Sequence, residues 1–158
     1  MNRSPDKLRV VTPPRKDDSP VPLEMLPYLM NRVTSRANQL WVKTLREHGL
    51  TIGRWQVLSV LWRFDGSRIG TIADLSGGEQ PAVSRVIDQM ERDGLVSRRP
   101  SLQDSRAVEV WITGRGRSIY ENLLPEADGF VQGMLRNLDN DEIRQLSKLL
   151  ERIFSDLQ

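Results

Sequence analysis

The middle of the chain contains a group of polar side chains that are suited to binding a nucleic acid. They are Ser84, Arg85, Arg98, Arg99 and Arg106. Hydroxyl and guanidinium groups donate hydrogen bonds to base edges in the major groove, and guanidinium groups also pair with phosphates. These residue types favour DNA recognition if the elements that carry them present them together.

The first two of these residues lie in a segment with helical periodicity. Its apolar residues fall at positions i, i+3, i+4 and i+7, which places them on one face: Val83, Val86, Ile87 and Met90. The opposite face carries short or forked polar side chains together with one proline: Gln80, Pro81, Ser84, Arg85, Asp88 and Arg92. Gly94 follows the last turn, where a left-handed residue ends a helix. The pattern predicts a helix that buries one face and leaves the other free for a partner.

The three remaining arginines lie in a predicted β-hairpin. Val96–Arg99 and Ala107–Ile112 are short β-like runs, and in the second run Val108, Val110 and Ile112 alternate with other residues. The connecting loop is long and polar, so Arg98, Arg99 and Arg106 are expected near its protruding end. Such a hairpin has the features of a wing.

The order of the elements predicts a winged helix-turn-helix. Ile69–Ser76 reads as a short helix, and Gly77-Gly78 supplies the turn before the polar-faced helix. In this fold the second helix enters the major groove, and the wing reaches phosphates or the minor groove.

The chain also resembles a known family of regulators. The matching residues include Leu50-Thr51, Trp55-Gln56-Val57-Leu58, Ile72-Ala73-Asp74-Leu75, the continuous run 83–98, Asp104-Ser105-Arg106, Ile112-Thr113 and Gly116. This ordered series, over most of residues 25–157, is similar to the MarR family of transcriptional regulators. The resemblance implies a mainly α fold with a small antiparallel β-wing, flanked by N- and C-terminal dimerisation helices.

Roles in DNA binding are expected for individual residues. Gln80 and Ser84 are the expected base-edge contacts, and Pro81 beside them is also expected at the DNA-binding face. Arg85 either reads guanine or grips a phosphate, or, as the resemblance implies, pairs with Asp104 to tie the helix to the wing. The last pairing leaves Arg106 for the minor groove and Arg98 and Arg99 for backbone phosphates. The expected partner is double-stranded operator DNA, bound as an imperfect palindrome by a homodimer.

The chain departs from the family pattern in two places. A double glycine and Pro81 occupy the start of the recognition helix, so base preference does not carry over. Trp111 stands where a small polar residue is usual, and packing against a neighbouring element is its default role.

Composition excludes several other classes of function. The sequence has no cysteine, one isolated histidine, His48, and no glycine-rich phosphate loop, so an enzyme, a metal site or a thiol sensor is not expected.

Residues 1–117 carry 19 Lys and Arg against 13 Asp and Glu, whereas residues 118–158 carry 4 against 8. The basic part contains the helix and the wing, although charge segregation is also common in helical proteins. No apolar run is long enough for a membrane span or a signal peptide, so a cytoplasmic location, no membrane partner and no cofactor are expected.

The ends of the chain predict three further regions. Residues 1–22 are proline-rich without periodicity, which indicates a disordered tail, either inert or an arm that contacts phosphates. Residues 23–50 and 115–158 carry long apolar helical stripes around the DNA-binding segment 51–114, with caps expected at Thr51, Thr113 and Asp139. These stripes are wider than one small winged helix can cover, so they pack either against a second copy or as an intramolecular bundle.

Two functional alternatives remain at this point. The family resemblance implies a small aromatic or phenolic ligand, for which Arg36, Trp41 and Trp62 offer a cation and flat apolar walls, although tryptophans at helical spacing are more often core. A winged helix that binds a protein partner without touching DNA is the rival reading. It predicts a neutral helix face and wing, in contrast to the arginines found here.

Overall fold

The computed structural model describes residues 22–101, 104 and 106–157, and the predicted tail lies outside this part of the chain except for Pro22. After a short 3-10 turn at Leu23–Met25, the elements follow one another in this order: α1 (Leu26–Glu47), α2 (Ile52–Arg63), β1 (Ser67–Arg68), α3 (Ile69–Ser76), α4 (Gln80–Arg92), β2 (Val96–Pro100), β3 (Val108–Ile112), α5 (Gly114–Leu135) and α6 (Asn140–Ser155). The mainly α fold with a small antiparallel sheet is therefore confirmed.

The chain divides into two units, Met1–Thr34 and Ser35–Gln158. The described part of the first unit holds the 3-10 turn and the beginning of α1, and none of its side chains is buried. The second unit holds the remainder of α1 and all the other elements. The predicted DNA-binding segment 51–114 carries α2 through β3.

The three strands form one antiparallel sheet in the order β1-β3-β2. In the wing, Val96 lies opposite Ile112 and Pro100 lies opposite Val108. The edge strand β1 has two residues, and Ser67 lies opposite Val110 on the other side of β3. This register places Val110 and Ile112 in the core, whereas Val108, near the tip, is exposed.

A single hydrophobic core lies in the second unit. Its fully buried side chains come from α1, α2, α3, α4, the sheet and α5, and include Leu45, Leu58, Leu61, Ile72, Ile87, Met90, Val110 and Leu123. Each of α2, α3 and α4 is too short to be stable alone, so burial of its apolar face on this core supplies most of its stability.

The predicted helix boundaries are confirmed by their caps. The hydroxyls of Thr51 and Thr113 accept hydrogen bonds from the backbone N–H groups of Arg54 and Gly116, at 3.3 and 3.1 Å. Asp139 forms the expected capping box with Glu142 at the start of α6. Caps of this kind satisfy N–H groups that have no partner within the helix.

Candidate nucleic-acid interface

The N-terminal half of helix α4 presents polar side chains that make no polar contact within the described residues. Val83, Ile87 and Met90 are buried, while on the other side Gln80, Pro81 and Arg85 are exposed and Ser84 is half-buried. Within the described residues, the side chains of Gln80, Ser84 and Arg85 make no hydrogen bond or ion pair. Their donors are therefore available to an external partner.

The position of α4 follows from the turn that precedes it. Gly77, with φ of +68°, ends α3 in the left-handed conformation, and its N–H donates to the carbonyls of Ala73 and Asp74. Three residues after Gly77 the chain enters α4 at Gln80, so the two helices form the predicted helix-turn-helix.

The adjacent arginines of the wing lie on opposite faces of the hairpin. Side chains alternate along a strand, and Arg98 lies opposite the buried Val110 whereas Arg99 lies opposite Glu109. Arg98 therefore faces α4, and Arg99 faces outward.

Arg98 binds two carboxylates of α4. Its guanidinium contacts Asp88 at 2.6 Å and Glu91 at 2.7 Å, and its backbone N–H donates to Glu91 at 2.9 Å. Burial lowers the pKa of Arg98, but the hydrogen bonds with Glu91 and Asp88 and their charges outweigh this, so the pKa lies above its ordinary value. The sequence predicts a phosphate contact for Arg98; the structure instead uses this guanidinium to join the wing to the recognition helix.

Asp104 supports the wing in a different way from the predicted one. The expected partner was Arg85, but the Asp104 carboxylate accepts from the Arg68 guanidinium at 3.3 Å and from the backbone N–H of Arg106 at 3.1 Å. The second bond turns the carboxylate back onto the wing tip, and β1 brings Arg68 close to it across the sheet. The Arg106 side chain remains exposed and makes no ion pair with a described residue.

The residues predicted for a small ligand are only partly brought together. Trp41 and Trp62 belong to one aromatic column in which Trp41 contacts Phe130 and Trp55, Trp55 stacks on Tyr120, and Tyr120 contacts Trp62, with ring centroids 4.7–5.6 Å apart. Arg36 is exposed and hydrogen-bonds Gln39 within its own helix.

The cation beside this column comes from another helix. Arg117 of α5 places its guanidinium 5.3 Å from the centre of the Trp62 ring and pairs with Asp65 at 3.0 Å. No local pattern in the sequence pairs Arg117 with Trp62, because α5 meets α2 only through the tertiary fold.

His48 lies at the end of α1 and contacts α5. Its Nε2 is 2.9 Å from Oε1 of Glu126, and both side chains are partly exposed. Within the described residues no group of three or more His, Asp or Glu side chains is arranged to hold a metal ion. A search of the same residues finds no helix whose length and apolar character would let it cross a membrane.

Comparison with known proteins identifies the family. The pattern that defines the MarR family matches residues 50–108. The HTH-type transcriptional repressor IacR of Pseudomonas putida is 28% identical over 144 residues, which cover 91% of this chain and 83% of that protein.

Solved structures agree with the sequence match. A MarR-family transcriptional regulator from Silicibacter pomeroyi is 30% identical, has a TM-score of 0.75, and the match covers 84% of this chain and 89% of that one. A mutant of MarR from Escherichia coli, complexed with operator DNA, shares the fold with a TM-score of 0.71 at 24% identity, over 82% of this chain and 95% of that one. With its helix-turn-helix, its β-wing and these relatives, which are regulators rather than enzymes, the chain belongs to the MarR family of transcriptional regulators.

Proposed function

We propose that the protein is a transcriptional repressor that binds a pseudo-palindromic DNA operator as a homodimer. The observation that carries this proposal is the set of unpartnered donors on one surface of the winged helix. The side chains of Gln80, Ser84 and Arg85 on α4 and of Arg106 at the wing tip make no polar contact with a described residue. Exposed donors of this kind usually hydrogen-bond water. Here they lie on the helix and the wing that contact DNA in winged helix-turn-helix proteins, so we expect DNA to be their partner.

Each part of the interface has its own role in the proposal. Gln80 and Ser84, with Pro81 beside them, face the base edges, and Arg85 reads guanine or grips a phosphate. Arg106 enters the minor groove from the wing tip, and Arg99 contacts the backbone. Arg98 and Asp104 hold the wing in place from within the protein.

A homodimer accounts for the apolar surface of the terminal helices. No residue of α6 is buried. Large apolar side chains on α6 and just before and after it are 38–80% exposed: Leu138, Leu146, Leu149, Leu150, Ile153, Phe154 and Leu157. In the other unit Leu23, Leu26, Met30 and Val33 are also exposed. Because monomeric proteins rarely expose contiguous apolar patches of this kind, a second copy is the proposed cover.

The dimer sets the geometry of the operator. Two symmetry-related α4 helices reach successive major grooves only if the half-sites are about one helical turn, roughly 34–36 Å, apart. A gel shift with the promoter region that flanks the gene tests binding, and footprinting then locates the operator.

Inserting about 5 base pairs between the half-sites places them on opposite sides of the duplex and is expected to abolish dimer binding. Absence of any sequence-specific shift would favour the rival role, a winged helix that binds a protein partner. A particle that sediments as a monomer at the concentrations used for the gel shift would refute the dimer.

We also propose that a small aromatic or phenolic anion releases the protein from DNA. The aromatic column of Trp41, Trp55, Trp62, Tyr120 and Phe130 supplies flat apolar walls, and Arg117 supplies a cation beside Trp62. Thermal-shift screening with aromatic acids, followed by gel shifts with each hit, tests this. A screen in which no acid raises the melting temperature would count against it.

A further inference from the structure

Trp111 lies on the outer face of the sheet and belongs to neither the hydrophobic core nor the recognition helix. The residue belongs to β3 and lies opposite Ser97 of β2. Its ring packs directly on Gly66, where an added Cβ would lie 2.6 Å from the ring. The backbone of Gly66, held at a φ of +77°, therefore fixes the plane of the indole.

The fixed indole supports the guanidinium of Arg99. The guanidinium carbon lies 5.1 Å from the centre of the Trp111 ring, within the range of a cation–π interaction. Glu109 is directly opposite Arg99 in the sheet, yet no ion pair forms between them. The positive charge of Arg99 is thus held in place without being neutralised by a described residue.

The cation–π contact leaves the donors of Arg99 free. A guanidinium that lies over an aromatic ring keeps its N–H groups around its edge, and these groups match the oxygens of a phosphate. Arg98, one residue earlier, differs from Arg99 because its guanidinium is paired with the carboxylates of Asp88 and Glu91. The outer face of the wing therefore carries an arginine that is restrained by an uncharged platform.

We propose that Trp111 is a positioning residue for DNA binding, which holds Arg99 ready to contact a backbone phosphate beside the wing. The inference rests on the proposed DNA-binding function and deepens it. An unrestrained arginine loses side-chain entropy when it binds, and the indole reduces that loss in advance. Trp111 itself makes no contact with DNA in this proposal.

The experiment compares variants at both positions on the footprinted operator, with affinity measured over a series of salt concentrations. Because both subunits of the homodimer carry the substitution, Arg99→Ala is expected to make the slope of log affinity against log salt shallower by about 1.8, which corresponds to the loss of two phosphate contacts. Arg136→Ala is the matched control. Arg136 is an exposed arginine at the end of α5, which is not among the elements proposed to contact DNA, and its loss changes the net charge equally. The control is expected to keep the wild-type slope.

Substitutions of Trp111 separate support of Arg99 from a merely structural role. Trp111→Leu keeps apolar bulk but removes the π face, so affinity is expected to fall about two- to fivefold per subunit, the range of one exposed cation–π interaction. For a homodimer with the change in both subunits this amounts to about four- to 25-fold. Trp111→Phe keeps a ring, and it loses no hydrogen bond because Nε1 of Trp111 is buried without a partner among the described residues. The phenylalanine variant is expected to stay within about twofold of the wild type.

The double variant decides the outcome. In the Arg99→Ala background, Trp111→Leu is expected to cause no further loss of affinity, since the residue it supports is absent. An equal loss in both backgrounds, or an unchanged salt slope in Arg99→Ala, would overturn the proposal while leaving DNA binding by the wild type intact. A wild-type protein that binds no operator would instead remove the proposed function itself.

Discussion

The link between Arg98 and α4 allows the strongest test of how the wing is held. Replacing Arg98 by methionine keeps much of the apolar stem and removes the contacts at 2.6 and 2.7 Å to Asp88 and Glu91. The prediction is a loss of stability without the loss of a phosphate contact. The alternative, drawn from the sequence, is that Arg98 contacts the DNA backbone.

The expected magnitude follows from exposure. The side chain of Arg98 is 24% exposed, and those of Asp88 and Glu91 are 44% and 38% exposed. Fully exposed ion pairs contribute about 0.2–1 kcal/mol each, and hydrogen bonds to charged groups about 1.5–3 kcal/mol. Because the two carboxylates regain water in the variant, the larger penalty for a buried unpaired charge does not apply. We expect Arg98→Met to lower the free energy of unfolding by about 1–2 kcal/mol.

Two measurements separate the alternatives. Urea unfolding of Arg98→Met, Glu91→Gln and the double variant gives the coupling energy between the two residues, expected to be about 0.5–1 kcal/mol. The salt dependence of operator binding reports phosphate contacts, and its slope is expected to stay at the wild-type value. A coupling energy near zero, together with a salt slope that is shallower by about 1.8 for the two subunits, would show that Arg98 contacts a phosphate and would refute this reasoning.

Three further predictions concern the fold, the wing tip and the dimer. Gly116→Ala is expected to lower the free energy of unfolding by about 1–3 kcal/mol, because the added Cβ would lie 2.2 Å from the backbone carbonyl oxygen of Leu95. Gly133→Ala, in the same helix, adds a Cβ that meets open space and is expected to raise the free energy of unfolding slightly. Urea unfolding measures both. Equal effects of the two alanines would contradict this. Arg106→Ala is expected to weaken operator binding by about 1–3 kcal/mol at fixed salt with no change in melting temperature, and an unchanged gel shift would exclude the wing tip. Ile153→Asp is expected to shift sedimentation toward a monomer, while Lys148→Asp on the same helix leaves it unchanged; a dimer that tolerates both would disprove the proposed interface.

Local patterns in the sequence were sufficient for the elements themselves. The spacing of Val83, Ile87 and Met90 predicts the buried face of α4, and these three residues are buried. The same holds for the caps at Thr51 and Thr113, where the bonds join residues three positions apart. Information of this kind is local, because helix periodicity and capping depend only on neighbours within one or two turns.

The sequence places Arg36 with both tryptophans of the proposed ligand site, whereas the cation in contact with Trp62 is Arg117. Arg36 shares a helix with Trp41, which made it an apparent neighbour, yet it points to Gln39. Arg117 is 55 positions beyond Trp62 in the chain and lies against its ring. Distance along the chain carries no information about such a contact, which depends on how α5 packs on α2.

Local patterns predict the helix-turn-helix, the wing and the buried face of α4, and the resemblance predicts the family. Which of two adjacent arginines remains free depends on contacts across the folded sheet. Strand alternation sends Arg98 toward the carboxylates of α4 and Arg99 toward the indole of Trp111, and the register of β2 against β3 determines that choice. A shift of one residue would exchange the two faces, so the roles of these arginines depend on pairing across the sheet.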